Sequence, residues 1–326
     1  MGRFLAAPGV IRRSVAPWLR ACIMGSMRHR GQAASIVRRT LFEGAAIGIS
    51  SFAAHPESDA CGDVERQNRN VVVLPFSGVF AKHDAPGRHV VGTPSHAVFI
   101  ASDTPYRVAF PGAVGDRAII LRFDDALLPE EVDRRRCGEA LGSQGLLTVE
   151  AMMRRDLLRR RLTDTTAERF EIETLGLELL SLCLLVLRHK HMPNRPAARQ
   201  RRLRAVERVK EAVAVAPAEA WSVARLAAVA NLSPFHLCHV FRELVGASIH
   251  EYVLRERLAQ ALNAVLDSGD DLTGIALEAG FASHSHFTAR FRNFFGCTPS
   301  ALRQKKGVGQ ISQLRKIVTA RTSDRD

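Results

Sequence analysis

Trp221-Ser-Val-Ala-Arg-Leu-Ala-Ala-Val-Ala-Asn-Leu-Ser-Pro-Phe-His-Leu-Cys-His-Val-Phe-Arg-Glu-Leu-Val-Gly246 and Asp271-Leu-Thr-Gly-Ile-Ala-Leu-Glu-Ala-Gly-Phe-Ala-Ser-His-Ser-His-Phe-Thr-Ala-Arg-Phe-Arg-Asn-Phe-Phe-Gly296 are two copies of one pattern. Val223, Leu226, Ala227 and Ala230 fall at i, i+3, i+4 and i+7, and so do Leu272, Ile275, Ala276 and Ala279, 49 residues later. That spacing builds an amphipathic helix. Ser222 and Asp271 are suitable N-caps. Ala227 and Ala276 are small enough to let a second helix cross closely. Asn231 and Gly280 occupy the turn, where a left-handed backbone is tolerable for Asn and easy for Gly. Each copy therefore reads as helix, tight turn, helix.

The second helix of each copy divides into two faces. Leu237, Val240, Phe241 and Leu244 form the inner stripe of the first, and Phe287, Phe291, Phe294 and Phe295 that of the second. A shift of two residues turns ~200° around a helix. The outer faces are then Phe235, Cys238, His239 and Arg242 in one, and Ser285, Thr288, Ala289 and Arg292 in the other. A helix-turn-helix offers this face to the DNA major groove. Between the copies, Ile249–Leu266 reads as one unbroken helix. At ~18 residues it spans about 27 Å, which suits two recognition helices set roughly 34 Å apart on one side of B-DNA.

Upstream the pattern changes. Val71–Leu74, Ser77–Phe80, His89–Val91, Ala97–Ile100, Tyr106–Ala109 and Ala118–Phe123 are short runs rich in Val, Ile and Phe, separated by Gly and Pro turns. Such spacing predicts a β-sandwich or small barrel. Leu146–Leu162 and Thr165–Arg188 follow as amphipathic helices. The apolar stripe on the second includes Phe170, Leu175, Leu179, Leu182 and Val186. It buries against the domain's own sheet, against a partner subunit, or both. A homodimer through helix 165–188 would put Leu175, Leu179 and Leu182 in its seam.

The expected organisation is a disordered basic arm over 1–42, a mainly-β domain with following helices over 43–190, and a polar linker over 191–202. A helical DNA-binding domain over 203–303 and a disordered tail over 304–326 complete it. The arm carries eight arginines and no acid before Glu43. It fits a flexible segment or a start placed upstream of Met24 or Met27.

Across all 326 residues, 46 Lys and Arg face 33 Asp and Glu, a formal charge of +13 with pI about 10.3. That surplus favours a polyanionic partner. Segment 199–303 holds 13 Lys/Arg against 10 Asp/Glu, so most of the surplus sits elsewhere, in the arm and the 153–161 helix. The six cysteines lack any CxxC or zinc spacing and read as free thiols in a reducing cytoplasm. No run of ~18 apolar residues predicts a membrane span.

Residues 203–303 resemble the AraC/XylS class of bacterial transcription regulators. The resemblance rests on Ile275-Ala276, Gly280-Phe281, Ser285-His286-Phe287, Arg290-Phe291, Gly296-Cys297-Thr298-Pro299 and Arg303, with Arg257-Leu258 and Ala261 in the connecting helix. Leu74-Pro75, Gly78-Val79-Phe80, Tyr106-Arg107-Val108 and Gly115-Asp116 are similar to the cupin-like sensor half of some members. The resemblance implies a mainly-β cupin-like sensor domain with flanking helices, followed by an all-α domain with two helix-turn-helix units joined by a long helix. It implies an effector-responsive activator in the cytoplasm, at the bacterial nucleoid. Its partners would be double-stranded DNA, RNA polymerase and a small-molecule effector, with no cofactor. The family's base-reading positions fall on Phe235, Cys238 and His239, and on His284, Ser285 and Ala289. Members often carry Arg or Gln where this chain has Cys238, His239 and Ala289, which lowers the expectation of guanine contacts. Phe235 and Ala289 suit a thymine methyl, and Arg242 and Arg292 a phosphate or a guanine edge.

The rival class is a cupin-type enzyme that binds a small molecule. It would need clustered metal ligands, and His55, His83, His89 and His96 form no closely spaced pair. His284 and His286 have the spacing but open a helix predicted to face DNA. A redox switch on exposed Cys238, beside His239, is a second rival.

Overall fold

The computed structural model describes residues 34–85, 88–129, 141–188 and 197–303. Nine strands come first: β1 (Ala34–Glu43), β2 (Ile47–Pro56), β3 (Asn70–Gly78), β4 (Phe80–Ala85), β5 (Arg88–Gly92), β6 (His96–Ile100), β7 (Arg107–Ala109), β8 (Asp116–Phe123) and β9 (Gln144–Leu146). They form a six-stranded sheet of order β1-β2-β8-β3-β6-β9 and a three-stranded sheet of order β5-β4-β7. Every ladder is antiparallel.

Both faces of the larger sheet are covered, which is why its central strands read as continuous apolar runs rather than alternating ones. Along β3, Val71 and Val73 face the smaller sheet with Phe80, Tyr106 and Phe110. Val72 and Leu74 face the other way, into a cluster with Leu157, Leu179 and Leu184. β8 divides likewise, with Ala118 and Ile120 on the first side and Ile119, Leu121 and Phe123 on the second.

Two helices cover that second side: α1 (Val149–Arg161), capped by Thr148, and α2 (Arg169–Leu187). Leu175 and Leu179 are buried there within the chain, at 8% and 0% exposure, and Leu182 is partly buried against the same cluster. The expected dimer seam on these leucines is therefore corrected: they pack on their own sheet, and the outward positions of α2 are Phe170, Glu178, Ser181 and Leu185.

The arginines of α1 are also spent internally. Arg155 donates to the Pro94 carbonyl at 2.6 Å and pairs with Asp156 at 2.8 Å. Arg159 and Arg160 pair with Asp267 at 2.9 and 2.7 Å, and Arg161 pairs with Asp164 and Glu171. The positive run expected over 153–161 is a set of ion pairs, not a free cationic patch.

Seven further helices follow among the described residues: α3 (Ala197–Val215), α4 (Val223–Ala230), α5 (Pro234–Val245), α6 (Ile249–Asp267), α7 (Leu272–Glu278), α8 (His284–Phe295) and α9 (Pro299–Arg303). Two expected boundaries move. β1 begins at Ala34, inside the stretch read as a disordered arm, because Ile36 to Phe42 finds a ladder partner in β2. α3 begins at Ala197, inside the stretch read as a linker. The rest of the arm, residues 191–196 and the tail 304–326 lie outside the described residues. The strands over 34–56 were not legible as such, since Ile47–Pro56 carries Gly, Ser and Ala among few large apolar residues.

β-rich and helical elements share packing. α6 packs on β3, and α3 on β5. Leu258, Leu262 and Val265 of α6 join the cluster that contains α1, α2 and the sheet. Val79 and Val91 meet Ala214.

Candidate nucleic-acid interface

α4–α5 and α7–α8 are the two helix pairs. Ser222 accepts from the Arg225 amide and Asp271 from the Thr273 amide, as their N-cap positions require. The Thr273 hydrogen bonds hold the Asp271 carboxyl below the usual carboxylate range. Asn231 (φ 55°) and Gly280 (φ 80°) are both left-handed. In each turn the next residue bonds back: Leu232 N–H donates to Ala227 at 3.0 Å, and Phe281 N–H to Ala276 at 2.9 Å. These 6→1 bonds close a left-handed helix end. At Gly280 a side chain would also collide with backbone, since a Cβ would sit 2.6 Å from Ala218 Cα.

α5 and α8 then start alike. Ser233 accepts from the His236 amide and Ser283 from the His286 amide. Gly246 and Gly296 end them in left-handed conformation. The second turn is one residue longer, so the 49-residue offset of the first helices becomes 50 in the second ones.

The two faces separate as their spacing predicts. Leu237, Val240 and Phe241 are at 0% exposure, and so are Phe287, Phe291 and Phe295. Phe235, Cys238, His239 and Arg242 are exposed together on α5, and His284, Ser285, Ala289 and Arg292 on α8. Phe235 is 87% exposed, with no protein contact to account for so large an apolar surface. Thr288 is half-buried, its hydroxyl 3.5 Å from His284 Nε2. Phe294 is also only partly buried, and the Arg255 guanidinium lies over its ring at 5.5 Å. His286 accepts from Arg290 at 3.3 Å and leans on Phe281. Among the described residues, no group of three or more His, Cys, Asp or Glu could hold a metal ion.

Arg257 carries a role that its residue type did not announce. From α6 it donates to the carbonyls of Pro217 (2.8 Å), Glu219 (3.0 Å) and Gly280 (2.9 Å). It thereby ties the entry to the first pair to the turn of the second. Arg303 similarly donates to the Val265 carbonyl at 3.2 Å and to that of Asp270.

Glu256, beside Arg257, is buried at 0% exposure and accepts from Thr93 (2.9 Å) and Ser95 of the β-rich half. Burial pushes its carboxyl up. His96, 3.8 Å away, is pushed well down by burial and is neutral. On α3, Glu207 accepts from the Val91 amide at 2.8 Å and from Gln144 at 2.6 Å, and pairs with Lys210. Glu256 shares the apolar side of α6 with Tyr252 and Ala259 at i, i+4 and i+7 spacing. That misplaced acid is the signal by which the contact could have been found.

The model of a helix-turn-helix domain matches residues 226–305. The chain is similar to the HTH-type transcriptional regulator ExsA of Pseudomonas aeruginosa, 40% identical over 67 residues, which are 21% of this chain and 24% of ExsA. It is similar to the virulence regulon transcriptional activator VirF of Yersinia enterocolitica, 28% identical over 117 residues, 36% of this chain and 40% of VirF. The chain thus spans less than half the length of these curated relatives. Among solved structures, the DNA-binding domain of the global transcriptional factor AdpA in complex with a target DNA is 29% identical, with 30% of this chain and 90% of that one covered and a TM-score of 0.28. The relatives are transcription regulators, and nothing in them supports an enzyme. The exposed helix faces, the left-handed turns and the matched segment agree: residues 226–305 form a helix-turn-helix domain, similar to those of the transcription regulators above.

Proposed function

We propose that this chain is a sequence-specific DNA-binding transcription regulator, an effector-responsive activator that places α5 and α8 in successive major grooves. The observation that carries the reading is the pair of Ser-capped helices whose inner faces are anchored by fully buried Leu237, Val240 and Phe241 and by Phe287, Phe291 and Phe295. Their outer faces end in an arginine at the same helical position, Arg242 and Arg292. Phe235, Cys238, His239 and Arg242 read one half-site, and His284, Ser285, Thr288, Ala289 and Arg292 the other, with Arg257 holding the two units at fixed spacing. The mainly-β half, cupin-like in its two facing antiparallel sheets, is the effector-sensing part. Glu256 and Glu207 couple it to the helices that carry the readers. RNA polymerase is the downstream partner, and a homodimer, if formed through α2, uses its Phe170–Leu185 side. The site of action is the cytoplasm. No helix among the described residues is long and apolar enough to cross a membrane.

The test is a binding-site selection with the full chain, followed by footprinting of the selected site. The reading requires two protected major-groove patches about one helical turn apart. A single patch, or no sequence preference, would overturn it.

A further inference from the structure

Between the two sheets of the β-rich half lies a chamber of about 60 Å³, walled by Phe52, Val71, Val73, Phe80, Phe110 and Ile120. Asp116, the first residue of β8, opens into it. The residue is 4% exposed, and neither carboxylate oxygen has a hydrogen-bond partner among the described residues. Burial alone pushes the carboxyl up to about 8. A buried acid without a partner is costly to its fold and calls for something that completes it.

The other polar groups of the chamber complete one another. Arg122 donates to Ser50 and to Glu43 at 2.8 Å. Arg38 lies 4.0 Å from Glu65. Tyr106 donates to Glu65 at 2.9 Å and accepts from Gln67 at 2.5 Å. Among the described residues that line the chamber, Asp116 is left calling for a donor. The volume limits the rest of the ligand: an apolar cavity of ~150 Å³ accommodates benzene, and this chamber is less than half that size.

We propose that the chamber binds a short-chain aliphatic amine, its ammonium group paired with Asp116 and its alkyl chain against the apolar wall. The inference rests on the reading of the β-rich half as a sensor and names the class of effector. The bound pair is carboxylate and ammonium. An amine arriving as free base takes the Asp116 proton, and one arriving as ammonium displaces that proton to solvent. A carboxylate ligand would meet an acid, and an alcohol would bring no charge to offset burial.

The experiment is calorimetric titration of the full chain with ethylamine, ethanol and acetate at matched ionic strength, with melting curves alongside. Ethylamine should bind and raise the melting temperature, and each of the other two should bind at least about tenfold more weakly. Asp116→Asn should lose about tenfold or more of the amine affinity. Should that variant fail to fold, Val73→Phe decides, because it fills the chamber and leaves Asp116 in place. It should abolish amine binding. Acetate or ethanol binding as tightly as the amine, or an intact affinity in the folded Asp116→Asn or Val73→Phe variant, overturns the proposal. Binding of the same preparations to the selected DNA is measured in parallel. DNA binding without amine binding overturns the amine alone, whereas amine binding without DNA binding overturns the regulator reading.

Discussion

His239 and Phe241 are two residues apart and stand on opposite sides of α5. His239 is exposed and Phe241 is at 0% exposure, in edge contact with Tyr252. Phe241→Ala should cost ~3–5 kcal/mol, because it opens a cavity under the helix. It should lower the melting temperature and weaken binding to all DNA sequences alike. His239→Ala should leave melting unchanged and relax discrimination at one base pair by ~1–3 kcal/mol. Thermal melts beside a binding-site selection separate the two, and a His239→Ala variant that unfolds would refute the face assignment. Asp116 makes a second residue-scale prediction. Its folded value of about 8 lies above the unfolded 3.8. Between those values the folded state keeps a proton that the unfolded chain has lost, so stability falls as pH rises from about 4 to 8 and levels off above. Arg38, Glu65, Tyr106 and Arg122 line the same chamber and do not change that sign. Asp116→Asn should remove the slope, so its melting temperature should gain on that of the parent chain across this window. A constant difference from pH 4 to 8 would count against the buried acid.

Helix α2 shows how an element's surroundings, not its pattern, decide what its stripe does. Leu175, Leu179 and Leu182 recur at intervals that suit either a seam between chains or a seat on a sheet. The sheet takes them: Gly176, between Leu175 and Leu179 on that side, lets α2 approach within contact of Ile49, since a Cβ there would lie 3.1 Å from Ile49 Cδ1. Leu179→Lys should therefore unfold the β-rich half, by burying a charge without a partner, instead of producing a folded monomer. Near-ultraviolet circular dichroism and sedimentation velocity check this, and a folded monomeric variant would restore the seam between chains. Helix α6 shows the same dependence. Its 19 residues were legible as one helix, and the capping box of Ser248 and Glu251 marks its start. Its contacts with Thr93 and Ser95 were not, because they come from residues 161 to 163 positions away.

At the scale of the molecule, the β-rich and helical parts share one apolar cluster and a buried polar contact. Calorimetry should then find a single cooperative unfolding transition for the full chain. Two resolved transitions would mean that the shared packing is weak. The overall charge of +13 is a poor guide to the face proposed to bind DNA. Arg257 and Arg303 are committed to backbone carbonyls, Lys210 to Glu207, and the α1 arginines to acids. Salt dependence should come from the few phosphate contacts of the reader helices, with a slope of about −0.9 per phosphate neutralised. A slope near zero in filter binding or fluorescence titration would argue against DNA as the partner, and one scaled to the total charge against this division of the arginines.

The readable parts of this chain are those whose cause is local. Capping residues, left-handed turns and the 3.6-residue period of the two helix pairs depend on neighbours a few positions away, so α4 to α8 and their exposed faces follow from the sequence by itself. β1, β2 and the first turns of α3 from Ala197 do not, because a strand is stabilised by a distant ladder partner and Ile47–Pro56 has little intrinsic pattern. Tertiary structure alone decided that the α1 arginines are paired, that Leu179 faces its own sheet, that Glu256 crosses to Thr93, and that Asp116 is buried without a donor. Each of these depends on groups far apart in the chain, and burial and distance at such sites are set by packing, not by sequence spacing.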